Sequence, residues 1–273
     1  MVDSHAHIFT RDMPLVANAW TVPDYDFTAE DYLAGLDANG VAFGVLSALS
    51  ISGFYNDYTI AAARTHRRLR ATVIVPPGAD YYMLRNMRDD GVVGIRLQLA
   101  RLAVLPDLAD EGYQLLLRRV RDLDWHVHVA IEGPLLPPLL AELEKAGVKV
   151  VLDHFGHPDS DQGIACPGFQ ATLRAVDRGQ TWVKMSAGFR LAGTDSWRSA
   201  AGTEAGEELA DAIAAELLAK AGTGRLLWGS DCPFVGYEAS VTYADALARF
   251  ARRVPQARDR DAISETALKL YFD

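Results

Sequence analysis

The chain has 273 residues, of which 49% are apolar and 23% are charged. This composition is typical of a well-packed globular protein and excludes a fibrous, disordered or disulfide-stapled one. Lys and Arg number 27 against 36 Asp and Glu, so the formal net charge is −9. This acidic balance argues against nucleic-acid binding and against adhesion to anionic membranes. We therefore expect a small-molecule substrate, no nucleic acid and no membrane as partners, and the sequence leaves a homo-oligomer open.

The N-terminal segment has no basic stretch followed by an apolar core, so we expect no signal peptide. The sequence also lacks the roughly 18 consecutive apolar residues that a membrane-spanning helix needs. Cys166 and Cys232 are the only cysteines, and their wide separation suits a reducing compartment. These features predict a cytoplasmic protein.

Short apolar runs alternate with longer helix-period segments along the whole chain, which is the pattern of βα units. Predicted strands cover residues 2–9, 41–48, 70–75, 92–99, 125–131, 148–152, 181–186 and 225–229. The helix predicted at 28–39 begins with Thr28 and Asp31 as a capping pair and stops at Gly40. The helix at 110–123 carries one apolar stripe.

Eight such units in a chain of this length predict a distorted (β/α)8 TIM barrel that spans residues 1–273 as one domain. The alternative is an open doubly wound sheet, but the first predicted strand is not followed by a GxGxxG turn. In a barrel, the loops after the strands form the catalytic face.

Imidazole and carboxylate groups lie at the ends of three predicted strands. His5 and His7 are two residues apart on the first strand, which places both rings on the same side. His154 follows the sixth strand in DHFGHP (153–158), and Asp231 follows the eighth in WGSDCP (228–233). Taken singly, Asp231 has an ordinary explanation as a turn former, and His154 has one as the partner of Asp153. Four such groups at the carboxyl ends of barrel strands instead predict a catalytic site.

These motifs together resemble the amidohydrolase superfamily, in particular the amidohydrolase-related branch that includes the 2-pyrone-4,6-dicarboxylate lactonases. The resemblance runs from Asp3 to near Phe272. It implies a (β/α)8 barrel that hydrolyses an ester, lactone or amide, with Asp231 matching the general base. In a metal-free mechanism, Asp231 would activate water while His5, His7 and His154 donate hydrogen bonds to the substrate carbonyl.

The same four side chains, His5, His7, His154 and Asp231, are also plausible zinc ligands. The fourth strand, VVGIRLQ, offers neither the Lys nor the Glu that metal-using members often carry there. On the fifth strand, the sequence leaves open whether His126 or His128 reaches the site. Because the lactonase branch works without a metal, we expect no required cofactor, with one zinc ion as the alternative.

The resemblance also implies an arginine-lined substrate pocket. Arg96 and Arg190 match positions at which the lactonases bind substrate carboxylates, and Arg101 matches with its spacing one residue short. A guanidinium binds a carboxylate through two parallel hydrogen bonds, although each arginine could instead pair with a protein carboxylate. His157 stands where the lactonases have an arginine, which leaves a monocarboxylated lactone, a sugar lactone or another cyclic ester as alternative substrates. Ser50 opens an S-x-x-G-x-x-N loop in which the family serine touches substrate.

Three aromatic residues, Trp20, Trp197 and Tyr237, fall in loops after strands, where they either line the pocket or pack the loops. The sequence as a whole predicts a hydrolase that opens a small carboxylated lactone. The alternatives are a zinc-dependent hydrolase or decarboxylase of the same superfamily and a non-catalytic binding protein on a barrel scaffold.

Overall fold

The computed structural model describes residues 1–192 and 199–273, so Trp197 lies outside the described residues. Eight parallel strands are hydrogen-bonded in the order in which they follow along the chain. Their bounds are β1 Val2–Ala6, β2 Phe43–Leu46, β3 Leu69–Val73, β4 Val92–Gln98, β5 His126–Ala130, β6 Lys149–Leu152, β7 Thr181–Met185 and β8 Leu226–Trp228. The (β/α)8 barrel prediction is confirmed, and the open-sheet alternative is wrong.

Helices connect the strands and surround the barrel. In the described residues they are α1 Ala29–Ala38, α2 Asp57–Thr65, α3 Tyr81–Asp89, α4 Glu111–Asp122, α5 Leu136–Ala146, α6 Pro167–Asp177, α7 Ala200–Ala221, α8 Tyr243–Arg253 and α9 Ala257–Tyr271. Thr28 and Asp31 form the predicted capping box of α1, and Gly40 takes a φ of +67° directly after it. No helix of the described chain is long and apolar enough to cross a membrane.

The first and last strands close the barrel partly through side chains. Ser4 Oγ donates a hydrogen bond to the Trp228 carbonyl at 2.6 Å. The backbone N–H of Ser230 donates to Asp3 Oδ1 at 2.8 Å, and a single parallel bridge joins Ala6 to Cys232. This closure holds the first strand against the loop after the eighth, where two of the predicted site motifs lie.

The barrel interior has an apolar end and a polar middle. At the amino-terminal end, Tyr271 of α9 packs in one cluster with Val2, Val45, Val151 and Leu227 from four strands. Buried polar residues on or just after the strands include Ser47, Arg96, His128, Asp153 and Lys184. TIM barrels usually fill this space with branched aliphatic side chains. The polar filling therefore indicates that the barrel interior supports the chemistry of the site above it.

Candidate active site

Three predicted site residues surround one carboxylate oxygen of the fourth, Asp231. Asp231 Oδ1 lies 3.5 Å from His5 Nε2, 3.6 Å from His7 Nε2 and 3.8 Å from His154 Nε2. The side chain of Asp231 is only 2% exposed, whereas that of His7 is 13% exposed. The cluster is therefore shielded from bulk water but opens toward the mouth of the barrel.

The backbone at this cluster is strained in two places. His154 has a φ of +49° and Asp231 a φ of +65°, a left-handed conformation that residues with a Cβ adopt at a cost in energy. The N–H of Asp231 donates to the His5 carbonyl at 2.8 Å and so ties the two strand ends together. Strain of this kind concentrates at active sites, because the surrounding structure must hold functional side chains in position.

A guanidinium holds the second oxygen of the Asp231 carboxylate. Arg190 Nε donates to Asp231 Oδ2 at 2.5 Å, and Arg190 Nη1 donates to the Val235 carbonyl at 3.1 Å. Burial would by itself raise the pKa of the Asp231 carboxyl, but the charge of Arg190 outweighs it and holds that pKa well below its usual range. Asp231 is therefore ionised at neutral pH.

The imidazoles of His5 and His154 are held in their neutral form. Burial, together with the charge of Lys184, lowers the pKa of His5 to about 3. Burial likewise lowers the pKa of His154 well below its ordinary value. His154 Nδ1 also lies 2.9 Å from Ser186 Oγ, which fixes the orientation of its ring. At neutral pH these rings act as hydrogen-bond donors and acceptors without a net charge.

A second buried carboxylate, Asp153, supports the cluster from below. Its Oδ1 lies 3.2 Å from His5 Nδ1 and 3.0 Å from Lys184 Nζ, and its Oδ2 accepts from Arg96 Nε at 3.0 Å. Burial would raise the pKa of Asp153, but the charges of Lys184 and Arg96 hold it well below its usual range. The sequence analysis considered Asp153 as the hydrogen-bond partner of its neighbour His154. In the structure, Asp153 instead contacts His5.

Arg96 faces inward. Besides its ion pair with Asp153, it donates from Nη1 to the Ala48 carbonyl at 2.8 Å, and the residue is only 5% exposed. This matches the alternative in which the arginine pairs with a protein carboxylate. Its role in substrate binding stays a prediction.

Two supporting residues, Asp153 and Lys184, are missing from the predicted site. Lys184 left a signal in the sequence, because it is the one charged residue of the strand TWVKM and lysines are almost never fully buried without a partner. The structure also answers the question about the fifth strand. His128 Nδ1 lies 3.0 Å from Lys184 Nζ, and His126 packs against the ring of Tyr271, with the centroids 5.3 Å apart. Both therefore lie deeper in the barrel than the cluster around Asp231.

The remaining predicted binding residues lie around the barrel mouth. Trp20 Nε1 donates to Ser50 Oγ at 3.1 Å, and the Arg101 guanidinium lies 4.5 Å from the centre of the Trp20 ring. Ser50 and Arg101 are thus joined through Trp20 into one wall. His157 meets the ring of His154 edge to face, with centroids 5.0 Å apart.

The donor set is suitable for one metal ion. His5, His154 and Asp231 each offer a ligand atom, and these atoms lie within 4.8 Å of one another. Imidazole and carboxylate groups are ordinary ligands of zinc, which would supply a Lewis acid at this place.

Comparison with known proteins agrees with this arrangement. The sequence profile of the amidohydrolase family matches residues 2–272. The chain belongs to this family. It is 27% identical over 240 residues to a 4-sulfomuconolactone hydrolase of Rhizobium radiobacter, covering 86% of this chain and 76% of the relative.

Two solved structures extend the comparison of this amidohydrolase. One is described as a probable 2-pyrone-4,6-dicarboxylic acid hydrolase of Acinetobacter baumannii with citric acid bound. It is 30% identical, with a TM-score of 0.91 and coverage of 99% of this chain and 98% of that chain. The other is an amidohydrolase of Burkholderia multivorans with bound zinc, 20% identical, with a TM-score of 0.80 and coverage of 99% and 98%. At that identity the second likeness shows the fold alone.

Proposed function

We propose that this amidohydrolase opens a small lactone bearing a carboxylate or sulfonate group, by adding water to the ring ester. The observation that carries the proposal is the buried, ionised Asp231 with three imidazoles within 3.8 Å of one oxygen. The relatives support the substrate class, because the Rhizobium radiobacter protein is named for a sulfonated lactone. The Acinetobacter baumannii structure holds citric acid, a carboxylated molecule.

Asp231 acts as the general base in the proposed reaction. It removes a proton from water as the water oxygen attacks the lactone carbonyl carbon. Imidazole N–H groups of the cluster stabilise the negative charge that develops on the carbonyl oxygen. When the tetrahedral intermediate collapses, the ring C–O bond breaks and the departing oxygen receives the proton from Asp231. The product is the open hydroxy acid, and Asp231 is again ionised.

His7 has a more limited part in this scheme than the sequence predicts. Its Nδ1 lies 2.8 Å from the carbonyl oxygen of Ser47, and a carbonyl oxygen only accepts hydrogen bonds. With its ring proton on Nδ1, His7 presents an acceptor at Nε2. We assign it to orienting the attacking water, and we assign donation to the substrate carbonyl to His5 and His154.

The substrate anion binds at the mouth in this proposal, where Arg190 is 17% exposed. Arg101 and His157 are the further candidates on the same side. A histidine at 157 is neutral at pH 7, because burial lowers its pKa to about 4. This favours a substrate with fewer negative charges than a pyrone dicarboxylate.

We also propose that no metal is required. The Arg190 guanidinium touches Asp231, and the Lys184 ammonium lies 3.1 Å from His5, so two cations flank the same donors that a divalent ion would need. The alternative is a zinc-dependent hydrolase or decarboxylase. Metal analysis of protein purified without added metal, followed by chelation and assay, separates the two. Stoichiometric zinc whose removal abolishes turnover would establish the alternative.

The proposed activity is tested with a panel of carboxylated and sulfonated lactones. The wild-type protein is expected to open at least one of them, and Asp231→Asn is expected to reduce kcat by roughly 1,000-fold or more, because the base is lost. Asp177→Asn at the exposed end of α6 is the matched control. Near-wild-type turnover by Asp231→Asn would refute the role of Asp231. Ligand binding without hydrolysis of any lactone would favour the non-catalytic alternative.

A further inference from the structure

A lysine lies fully buried in the barrel, on the side of His5 that faces away from Asp231. Lys184 of β7 has no exposed surface. Its Nζ makes hydrogen bonds with His5 Nδ1 at 3.1 Å, His128 Nδ1 at 3.0 Å and Ser47 Oγ at 3.5 Å. An ammonium has three N–H donors and no acceptor. Lys184 is therefore the donor in each of these contacts.

The counter-ion of Lys184 is Asp153. Its Oδ1 lies 3.0 Å from Nζ, but the angle of approach is not that of a hydrogen bond with any of the described residues. The contact is thus an ion pair that stabilises the ammonium, while the directional N–H bonds go to the two imidazoles and the hydroxyl. Since Lys184 can only donate, His5 Nδ1 must be the acceptor. A neutral imidazole has one ring proton, which then sits on Nε2 of His5.

The neighbouring histidine leads to the same answer from the other side. His7 Nδ1 donates to the Ser47 carbonyl at 2.8 Å, so the ring proton of His7 sits on Nδ1 and Nε2 is left as an acceptor. His5 Nε2 lies 3.2 Å from His7 Nε2. Two nitrogens at this distance form a hydrogen bond only if one of them has a proton, and that nitrogen must be His5 Nε2.

We propose that Lys184 is a positioning residue that holds His5 in its Nε2–H tautomer. It begins a chain of hydrogen bonds, all donated in one direction, from Lys184 to His5, from His5 to His7 and from His7 to the Ser47 carbonyl. When substrate binds, its carbonyl oxygen replaces His7 Nε2 as the acceptor of this fixed donor, which leaves His7 Nε2 free to accept from the attacking water. Ligation of a metal by His5 Nε2 would require this proton to move to Nδ1, and Lys184 would lose an acceptor.

This inference deepens the proposed function, and its catalytic consequence rests on that function. The assignment of the His5 tautomer does not rest on it, because a tautomer can be measured without a substrate. Nitrogen NMR of the full chain with labelled histidine separates protonated from unprotonated ring nitrogens, and His5→Gln assigns the signals of His5. The wild-type protein is expected to show a protonated Nε2 and an unprotonated Nδ1 at His5. A protonated Nδ1 would overturn the proposal.

Lys184→Met removes the donor. The His5 proton is then expected to move to Nδ1, where Asp153 Oδ1 lies 3.2 Å away as an acceptor. Lys149→Met is the matched control, because Lys149 is a partly buried lysine at the start of β6 whose charged partner is Asp124 at 2.8 Å. This variant should leave the tautomers of His5 and His7 unchanged. An unchanged His5 tautomer in Lys184→Met would overturn the proposal.

A second variant covers the case in which Lys184→Met does not fold. The double variant Lys184→Met/Asp153→Asn removes the unpaired carboxylate as well, and its His5 should lose the strict Nε2–H form.

Zinc binding is an independent measurement. Titration of the metal-free protein with zinc should show Kd lower by about tenfold or more in Lys184→Met than in wild type, since supporting partners of metal-binding histidines change affinity by this order. Lys149→Met should bind zinc as wild type does. Equal Kd values in all three proteins would contradict the proposal.

The kinetic consequence is a third test. With an active lactone, kcat of Lys184→Met should fall roughly 10- to 100-fold while KM changes little. Failure of every lactone would defeat the proposed function and leave the NMR and zinc results to decide this inference.

Discussion

At the residue scale, each oxygen of Asp231 has a different environment. One faces the imidazole cluster, and the other accepts from Arg190 Nε at 2.5 Å. The arginine is partly exposed while Asp231 is buried, so a substrate anion entering from the mouth meets the guanidinium before it meets the base. Under the proposed function, Arg190 would therefore both keep Asp231 ionised and bind the anionic group of the substrate.

Arg190→Met tests both roles. Loss of the cation is expected to raise the pKa of Asp231, so the acid limb of the kcat/KM profile should move to higher pH. KM for a carboxylated lactone should rise roughly 10- to 100-fold, since the charged anchor is lost. The measurement is a pH series of initial rates. Arg178→Met, which removes an exposed arginine on the helical exterior, is the control. An unshifted acid limb would argue against electrostatic control of Asp231 by Arg190.

Two arginines show that residue type alone does not tell which group a side chain binds. Arg96 and Arg190 were both predicted from the sequence to bind substrate, and the structure pairs each with an aspartate. Arg96 lies with Asp153 inside the barrel, and Arg190 lies with Asp231 at the mouth. The sequence places an arginine after a strand, but the neighbouring strands decide which carboxylate it meets.

At the element scale, the packing of α6 depends on a glycine. A Cβ built on Gly168 would lie 1.9 Å from the carbonyl oxygen of Gly133, in the turn before α5, and 2.8 Å from its Cα. Both contacts are with backbone, so the helix and the turn would have to move apart. Gly35 of α1 is a helical glycine with nothing within 4 Å of the same position.

These two glycines form a matched pair. Gly168→Ala is expected to lower the free energy of unfolding by about 1–3 kcal/mol through overpacking. Gly35→Ala is expected to raise it by about 0.5–1 kcal/mol, because alanine favours the helix. Urea unfolding of both variants measures the difference. Equal effects in the two variants would show that the close approach at Gly168 is not limiting.

At the scale of the whole molecule, buried histidines make folding sensitive to acid. Burial lowers the pKa of His5 and of His126 from the ordinary value of 6.5 to about 3 in the folded protein. Between these values the unfolded chain binds protons that the folded protein does not, so stability is complete above pH 6.5 and is lost as the pH falls toward 3. Each histidine contributes a slope of about 1.4 kcal/mol per pH unit in that window.

His126→Phe should reduce the acid sensitivity of folding by the slope of one histidine. His126 packs against Tyr271, away from Asp231, so the rate of lactone hydrolysis at pH 7 should not change. Denaturant unfolding at several pH values between about 4 and 6.5 measures the slope. A slope equal to that of wild type would mean that His126 already titrates normally in the folded protein.

The barrel order and the positions of the site motifs were predictable from the sequence because both depend on local patterns. Alternation of short apolar runs with helix-period segments identifies βα units, and the barrel brings the ends of parallel strands to one face. For this reason the sequence could predict that His5, His7, His154 and Asp231 lie close together.

Only the tertiary structure decided which buried groups contact these site residues from inside the barrel. The contacts of Lys184 with His5, and of Asp153 with Arg96, join β7 to β1 and the end of β6 to β4 across the barrel interior. Such pairs depend on strand register and on barrel closure, which bring together residues that are far apart in the chain. The sequence by itself thus determined the fold and the candidate site residues, whereas the closed barrel determined the charges and hydrogen bonds around them.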